Sequence, residues 1–62
     1  MSGLKSFKVC VKEPHPVNTV VCYYVIGNSK TQAKRQALAM AGYAAPYPTH
    51  RINHLMELET LS

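Results

Sequence analysis

The chain has few acidic residues, few glycines and no long apolar run, and each shortage excludes a class of protein. Three of its 62 residues are acidic, namely Glu13, Glu57 and Glu59. A carboxylate pair for acid–base chemistry is therefore not expected unless Glu57 and Glu59 act together. The three glycines are isolated, which excludes a glycine-rich phosphate loop. No apolar run approaches the ~20 residues of a membrane-spanning helix, so we predict neither an enzyme nor a membrane protein.

Cysteine is also scarce. Cys10 and Cys22 are too few for the disulfide framework of a small secreted domain, and no charged-then-apolar leader is evident. The sequence contains no Cys-x-x-Cys spacing, the pattern typical of a structural zinc site. On a strand, His50 and His54 would lie about 13 Å apart, too far to share an ion, whereas on a helix one turn would bring them together. We therefore expect a soluble cytoplasmic protein with both thiols reduced, no metal and no cofactor.

Length and charge limit what remains. A chain of 62 residues forms one domain with a small core and has little material for a deep, water-excluding pocket. Lysine and arginine total 7 against 3 acids, giving a formal net charge of +4. Residues 1–12 and 29–35 contain basic residues and no acids. This distribution favours an acidic partner, either a protein surface or RNA or DNA.

Two segments have the patterns of strands. Residues 4–12 alternate, with Phe7, Val9 and Val11 on one face, which is typical of a half-buried strand. Residues 19–26 are rich in β-branched and aromatic residues and predict a second strand, paired antiparallel with the first. Both faces of this second strand are apolar. The face that does not meet the core must contact a second layer, a dimer mate or a binding partner, or stay exposed.

A helix is predicted over residues 30–41. Ser29 and Gln32 have capping-box spacing, in which the glutamine would accept from the N–H of Ser29, and Gly42 is a natural residue to follow the helix end. The predicted buried stripe consists of Ala33, Ala37, Met40 and Ala41.

Residues 50–58 are best interpreted as a third strand, although a helix is the alternative. As a strand they place Ile52, His54 and Met56 on one face and Asn53 and Leu55 on the other. The result is a single α+β domain over residues 1–62 with the order β-β-α-β and disordered ends. We expect two layers, an antiparallel sheet of about three strands and one helix.

The start of the helix is basic. Lys30, Lys34 and Arg35 lie in its first two turns, where the helix dipole disfavours cations, so this position suggests an anionic ligand. The run from Gly27 to Lys34 resembles the entry to the last helix of the double-stranded RNA-binding domain. It matches that family's Gly-x-Ser-Lys-Lys-x-Ala-Lys pattern except for Thr31 in place of the second lysine. The resemblance covers residues 13–41 and implies phosphate contacts for Lys30 and Lys34.

The whole chain is similar in element order and size to small phage accessory proteins, among them inhibitors of host RNA polymerase. This resemblance implies a protein that acts by docking on a host enzyme, in the cytoplasm of the host cell, through an apolar and basic face. Tyrosine and arginine are enriched at interface hot spots. The candidate protein-binding residues are Tyr23, Tyr24, Tyr43, Tyr47 and Arg51.

Two functions therefore compete. The leading hypothesis is a non-enzymatic binding protein that docks on, and inhibits or modulates, a larger host complex with an acidic surface. It would use the outward face of the second strand and the basic edge of the helix. The alternative is a nucleic-acid-binding module. Its phosphate contacts would be Lys30, Lys34 and Arg35, extended by Lys5, Lys8 and Lys12. A homodimer that pairs through the second strand is compatible with either function.

Overall fold

The computed structural model describes residues 3–14, 16 and 19–61. Its elements are strand β1 (Lys5–Lys12), strand β2 (Val20–Gly27), helix α1 (Lys30–Met40), a 3-10 turn (Thr49–Arg51) and strand β3 (Ile52–Thr60). The α+β fold, the order β-β-α-β and the three-stranded antiparallel sheet confirm the predicted fold class. The disorder expected at the chain ends concerns residues 1, 2 and 62, which lie outside the described residues.

The central strand of the sheet is β1, which pairs antiparallel with β2 on one side and with β3 on the other. A backbone hydrogen bond of 2.8 Å from Leu61 N–H to the carbonyl of Leu4 extends the contact between β1 and β3 past the strand ends. Both outer strands are therefore held by the same central strand, and they form the two edges of an open sheet.

The core lies between α1 and one face of this sheet. Phe7, Val9 and Val11 of β1 are fully buried there, as period-two alternation predicts. The helix contributes Ala33, Ala37 and Leu38, and its small alanines let the backbone approach the sheet closely. The prediction of Met40 in the buried stripe is wrong. Met40 is 56% exposed, whereas Leu38, which is not in the predicted stripe, is fully buried.

Both ends of the helix are capped. Ser29 Oγ accepts from the N–H of Gln32 at 3.2 Å, as predicted, but the Gln32 side chain accepts from the N–H of Asn28 instead of that of Ser29. Gly42 has a φ of 104°. Its N–H bonds the carbonyl of Ala39 and the N–H of Tyr43 bonds that of Leu38, the two bonds of a Schellman motif. The predicted glycine stop at residue 42 is confirmed.

The third strand does not keep simple alternation. The pairing of β3 with β1 shifts register between Cys10 and Val11 and again between Ser6 and Phe7. Each shift adds a residue to β3 and reverses the side to which the following residues point. Ile52 and Leu55 consequently both pack on the core side, whereas the sequence pattern had placed them on opposite faces.

Candidate functional site

One face of the sheet is left uncovered by the helix. The register pairs Lys8 with Tyr24 on one side and with Met56 on the other, so these three side chains lie in a row across the sheet. Tyr24 is 68% exposed and Ile26 is 54% exposed. We call this surface the open face. Its members are Ser6, Lys8, Cys10, Lys12, Val20, Cys22, Tyr24, Ile26, His54, Met56 and Glu59.

The open face resolves the ambiguity of the second strand. Val25 is buried against the helix, whereas Tyr24 and Ile26 point to the other side of the sheet. The two apolar faces of β2 therefore have different environments, one in the core and one exposed. Exposed apolar side chains gathered on one surface are typical of interaction sites.

A disulfide crosses the open face. Cys10 and Cys22 occupy directly opposed positions of β1 and β2, with their Cα atoms 3.8 Å apart, and are bonded. This corrects the expectation of two reduced thiols. The register between the two strands is not evident from the residue pattern, and a shift of one residue would have placed the cysteines on opposite faces.

The sheet separates the predicted protein-binding residues. Tyr24 belongs to the open face, whereas Tyr23 and Tyr47 are partly buried and pack against the core on the helix side. The Tyr23 hydroxyl donates to Glu13 Oε2 at 2.9 Å. Burial, this hydrogen bond and the charge of Glu13 raise the pKa of Tyr23 above its ordinary value, so its hydroxyl stays protonated.

Arg51 is engaged within the molecule. Its Nε donates to the Tyr43 hydroxyl at 2.9 Å, and its Nη2 donates to the carbonyl of Glu13 at 3.3 Å. The Tyr43 hydroxyl in turn donates to the carbonyl of Lys12 at 2.6 Å. These bonds attach the segment after the helix to the end of β1. Arg51, predicted as an interface residue, therefore also has a structural role.

The basic residues also fall on two surfaces. Lys8 and Lys12 lie on the open face, whereas Lys34 and Arg35 lie on the helix, on the other side of the sheet. Lys5 forms an ion pair with Glu57 at 3.7 Å, the only salt bridge within residues 3–14, 16 and 19–61. The single basic patch expected for the nucleic-acid hypothesis is therefore divided.

A cleft lies beside the helix. It has a volume of about 510 Å³ and brings together the first two turns of α1 and the segment of residues 45–49. Its lining residues are Thr31, Lys34, Arg35, Ala45, Pro46, Tyr47 and Thr49. The peptide bond between Ala45 and Pro46 is cis. Sequence reasoning identified Lys34, Arg35 and Tyr47 but missed the two threonines, because nothing local in the sequence places residues 45–49 beside the helix.

Among residues 3–14, 16 and 19–61, no three histidine, cysteine or acidic side chains come close enough to hold a metal ion. No helix in this part of the chain is both long and apolar enough to cross a membrane.

No family model matches this chain, and no curated protein or solved structure is detectably similar to it.

Proposed function

We propose that this protein is a small non-enzymatic binding protein that docks on a larger host macromolecular complex through the open face and inhibits or modulates it. The observation that carries the proposal is the one-sided sheet, because α1 covers one face and the other exposes Tyr24, Ile26 and Met56. Large apolar side chains on an exposed sheet face are unfavourable in water, and their burial under a partner would stabilise the complex.

The charge of the open face indicates the chemistry of the partner. Lys8 and Lys12 lie among its apolar residues, and Glu59, opposite Ser6 in the same row as Ile26, is the one acid that the described pairing places on this face. The chain as a whole carries a net charge of +4. A partner surface with an apolar centre and acidic residues around it would complement this arrangement, and its charge would speed association.

The size of the open face sets the expected affinity. Strands of eight residues extend roughly 26 Å, and three strands spaced about 4.8 Å apart give a surface on the order of 400 Å². A standard stable interface buries about 800 Å² on each partner. We therefore expect a weak, transient complex unless loops beside the sheet also make contact, and the test has to trap it covalently.

The experiment places a photo-crosslinking residue at position 24 of the full chain and exposes it to nuclease-treated bacterial lysate. The expected product is one defined complex that untagged chain competes away. The yield of this crosslinked product should fall at least about tenfold when Lys8→Glu and Lys12→Glu are added, because two favourable charge contacts become repulsive. The same crosslinker at position 40, an exposed site on the helix side, is the matched control and should give no such product. A functional assay of the captured complex, titrated with the chain, then tests inhibition.

Three results would contradict the docking proposal. A crosslink between two copies of the chain would mean that the open face is a homodimer interface. A product that forms only in a parallel lysate not treated with nuclease would favour the nucleic-acid-binding module, with phosphates held by Lys30, Lys34 and Arg35. Equal crosslinking from positions 24 and 40 would mean that the open face is not selective.

The cytoplasmic location expected from the sequence is part of this proposal, and the Cys10–Cys22 disulfide argues against it. Structural disulfides are rare in the cytosol, where thiols are kept reduced. Trapping free thiols in cells before lysis decides the question. Alkylation of both cysteines would mean that the thiols are reduced in the cell and would support the cytoplasmic location. Absence of alkylation would mean that the disulfide is formed there and would contradict that location.

A further inference from the structure

We propose that the cleft beside the helix is a second binding site, separate from the open face, and that it binds a nucleoside 5′-phosphate. This inference does not depend on the docking proposal, because the cleft and the open face lie on opposite sides of the sheet. It rests on the charge, the shape and the aromatic wall of the cleft.

The charge comes from the helix. Thr31, Lys34 and Arg35 are spaced three and four residues apart, so their side chains lie on the same face of α1 and all three line the cleft. Among the residues that the structure describes, no acidic side chain lines it. Neither Lys34 nor Arg35 forms a salt bridge within the described residues. Two cations and a hydroxyl that converge in this way can hold a phosphate, and arginine can do so with two parallel hydrogen bonds.

The remaining lining residues are Ala45, Pro46, Tyr47 and Thr49, of which the first three are apolar or aromatic. Tyr47 also packs against the core, which holds it in place beside the cleft. A base can stack on such a ring, and every base offers a π-face for this contact. The threonine hydroxyl can donate to, or accept from, the edge of a base or a ribose.

The volume fits a ligand of this size. About 510 Å³ lies within the range of about 300 to 1,000 Å³ typical of small-molecule sites. A bare phosphate would use the cationic wall and leave the aromatic wall empty. A nucleoside would use the aromatic wall and leave Lys34 and Arg35 without an anion. A nucleoside 5′-phosphate uses both. It could be a free nucleotide or one unit of a single strand, and the experiment distinguishes these two sources.

The test is an NMR titration of the ¹⁵N-labelled full chain with adenosine 5′-monophosphate, adenosine and inorganic phosphate in separate arms. The expected result is a saturable shift of the Thr31, Lys34 and Thr49 amides with the monophosphate, at least about tenfold tighter than with either fragment. Equal affinity for inorganic phosphate would overturn the aromatic half of the site. Equal affinity for adenosine would overturn the anionic half, and shifts confined to other residues would overturn the site itself.

Variants link the binding to the named side chains. Lys34→Gln with Arg35→Gln should weaken the monophosphate at least about tenfold, because charge-assisted bonds to the phosphate are lost. Lys8→Gln with Lys12→Gln removes the same charge from the opposite side of the sheet and is the matched control. A similar loss in both pairs would mean that only net charge matters and would overturn the proposal. Tyr47→Leu should weaken the monophosphate and leave inorganic phosphate unchanged, which separates loss of stacking from loss of the fold.

A 5′-phosphorylated tetramer of adenosine identifies the source of the ligand. Tighter binding of the tetramer than of the monophosphate, with the same amides shifted, assigns the cleft to single strands. Equal or weaker binding of the tetramer assigns it to the free nucleotide. Tetramer binding that shifts the open-face residues and not the cleft would overturn the proposal.

Discussion

Arg51 is linked to the end of β1 through the hydroxyl of Tyr43. The guanidinium Nε donates to the Tyr43 hydroxyl at 2.9 Å, and that hydroxyl donates to the carbonyl of Lys12 at 2.6 Å. The bonds span 31 residues of sequence between β1 and the segment that follows α1. These bonds attach the connection between α1 and β3 to the end of β1.

Arg51→Met should therefore destabilise the fold. It keeps most of the aliphatic stem and removes the charged donor, so we expect a loss of about 1.5–3 kcal/mol in the free energy of unfolding. Urea denaturation measures it. Arg35→Met, an exposed position on the helix, is the control and should change stability by less than about 0.5 kcal/mol. Equal stability of the two variants would show that the Arg51 bonds contribute nothing.

The alkaline stability of the protein should depend on Tyr23. Its pKa is raised in the folded state, so the protonated hydroxyl contributes stability below the ordinary tyrosine pKa near 10. That stability is lost as the pH rises through the folded-state pKa, because an ionised Tyr23 would lie against the charge of Glu13. Denaturant midpoints measured between pH 8 and pH 12 test this. Tyr23→Phe should flatten the decline, and an unchanged decline in that variant would assign it to other groups.

Reduction of the disulfide should weaken the fold strongly. Cys10 and Cys22 are 12 residues apart, and closing a loop of this length stabilises a protein by about 2–3 kcal/mol. For a domain of 62 residues this is a large share of the total stability. Urea midpoints with and without dithiothreitol measure the effect. The urea midpoint of the Cys10→Ser, Cys22→Ser variant should equal that of the reduced protein and should not change with dithiothreitol. A wild-type midpoint that is likewise unchanged by dithiothreitol would contradict the prediction.

Leu38 and Met40 should differ sharply in their importance. Leu38 is fully buried, so Leu38→Ala should cost about 2–5 kcal/mol through lost apolar contact and the cavity left behind. Met40→Ala should change stability by less than about 0.5 kcal/mol, since its side chain is largely exposed. Thermal unfolding of both variants compares them directly. Comparable losses would restore the buried stripe expected from the sequence.

The particular misplacements have a common physical cause. Helical periodicity orders residues around α1 but does not say where the centre of the buried stripe falls, and a small rotation of the helix exchanges Met40 for Leu38. The face assignments in β3 failed because β-bulges depend on the partner strand and leave no mark in an alternating pattern. The Gln32 side chain bonds Asn28 instead of Ser29, a difference of one residue set by the turn before the helix.

The candidate sites divide in the same way. Lys34, Arg35, Tyr24 and Tyr47 were all identified from residue type, but their grouping was not. Tyr24 lies with Lys8 on the open face because the β1–β2 register opposes them. Tyr47 lies with Lys34 and Arg35 because the connection after α1 folds back on the helix. Both proposed sites depend on these groupings, and each grouping joins residues far apart in the chain.

The sequence by itself determined the strands, the helix, its glycine stop and the α+β class, because these follow from interactions between residues a few positions apart. The tertiary structure decided the core face of β2, the disulfide between Cys10 and Cys22 and the separation of the basic residues onto two surfaces. Each of these depends on strand register and on the side of the sheet that the helix covers. A shift of one residue reverses every side chain of a strand, and no local pattern in this chain excludes it.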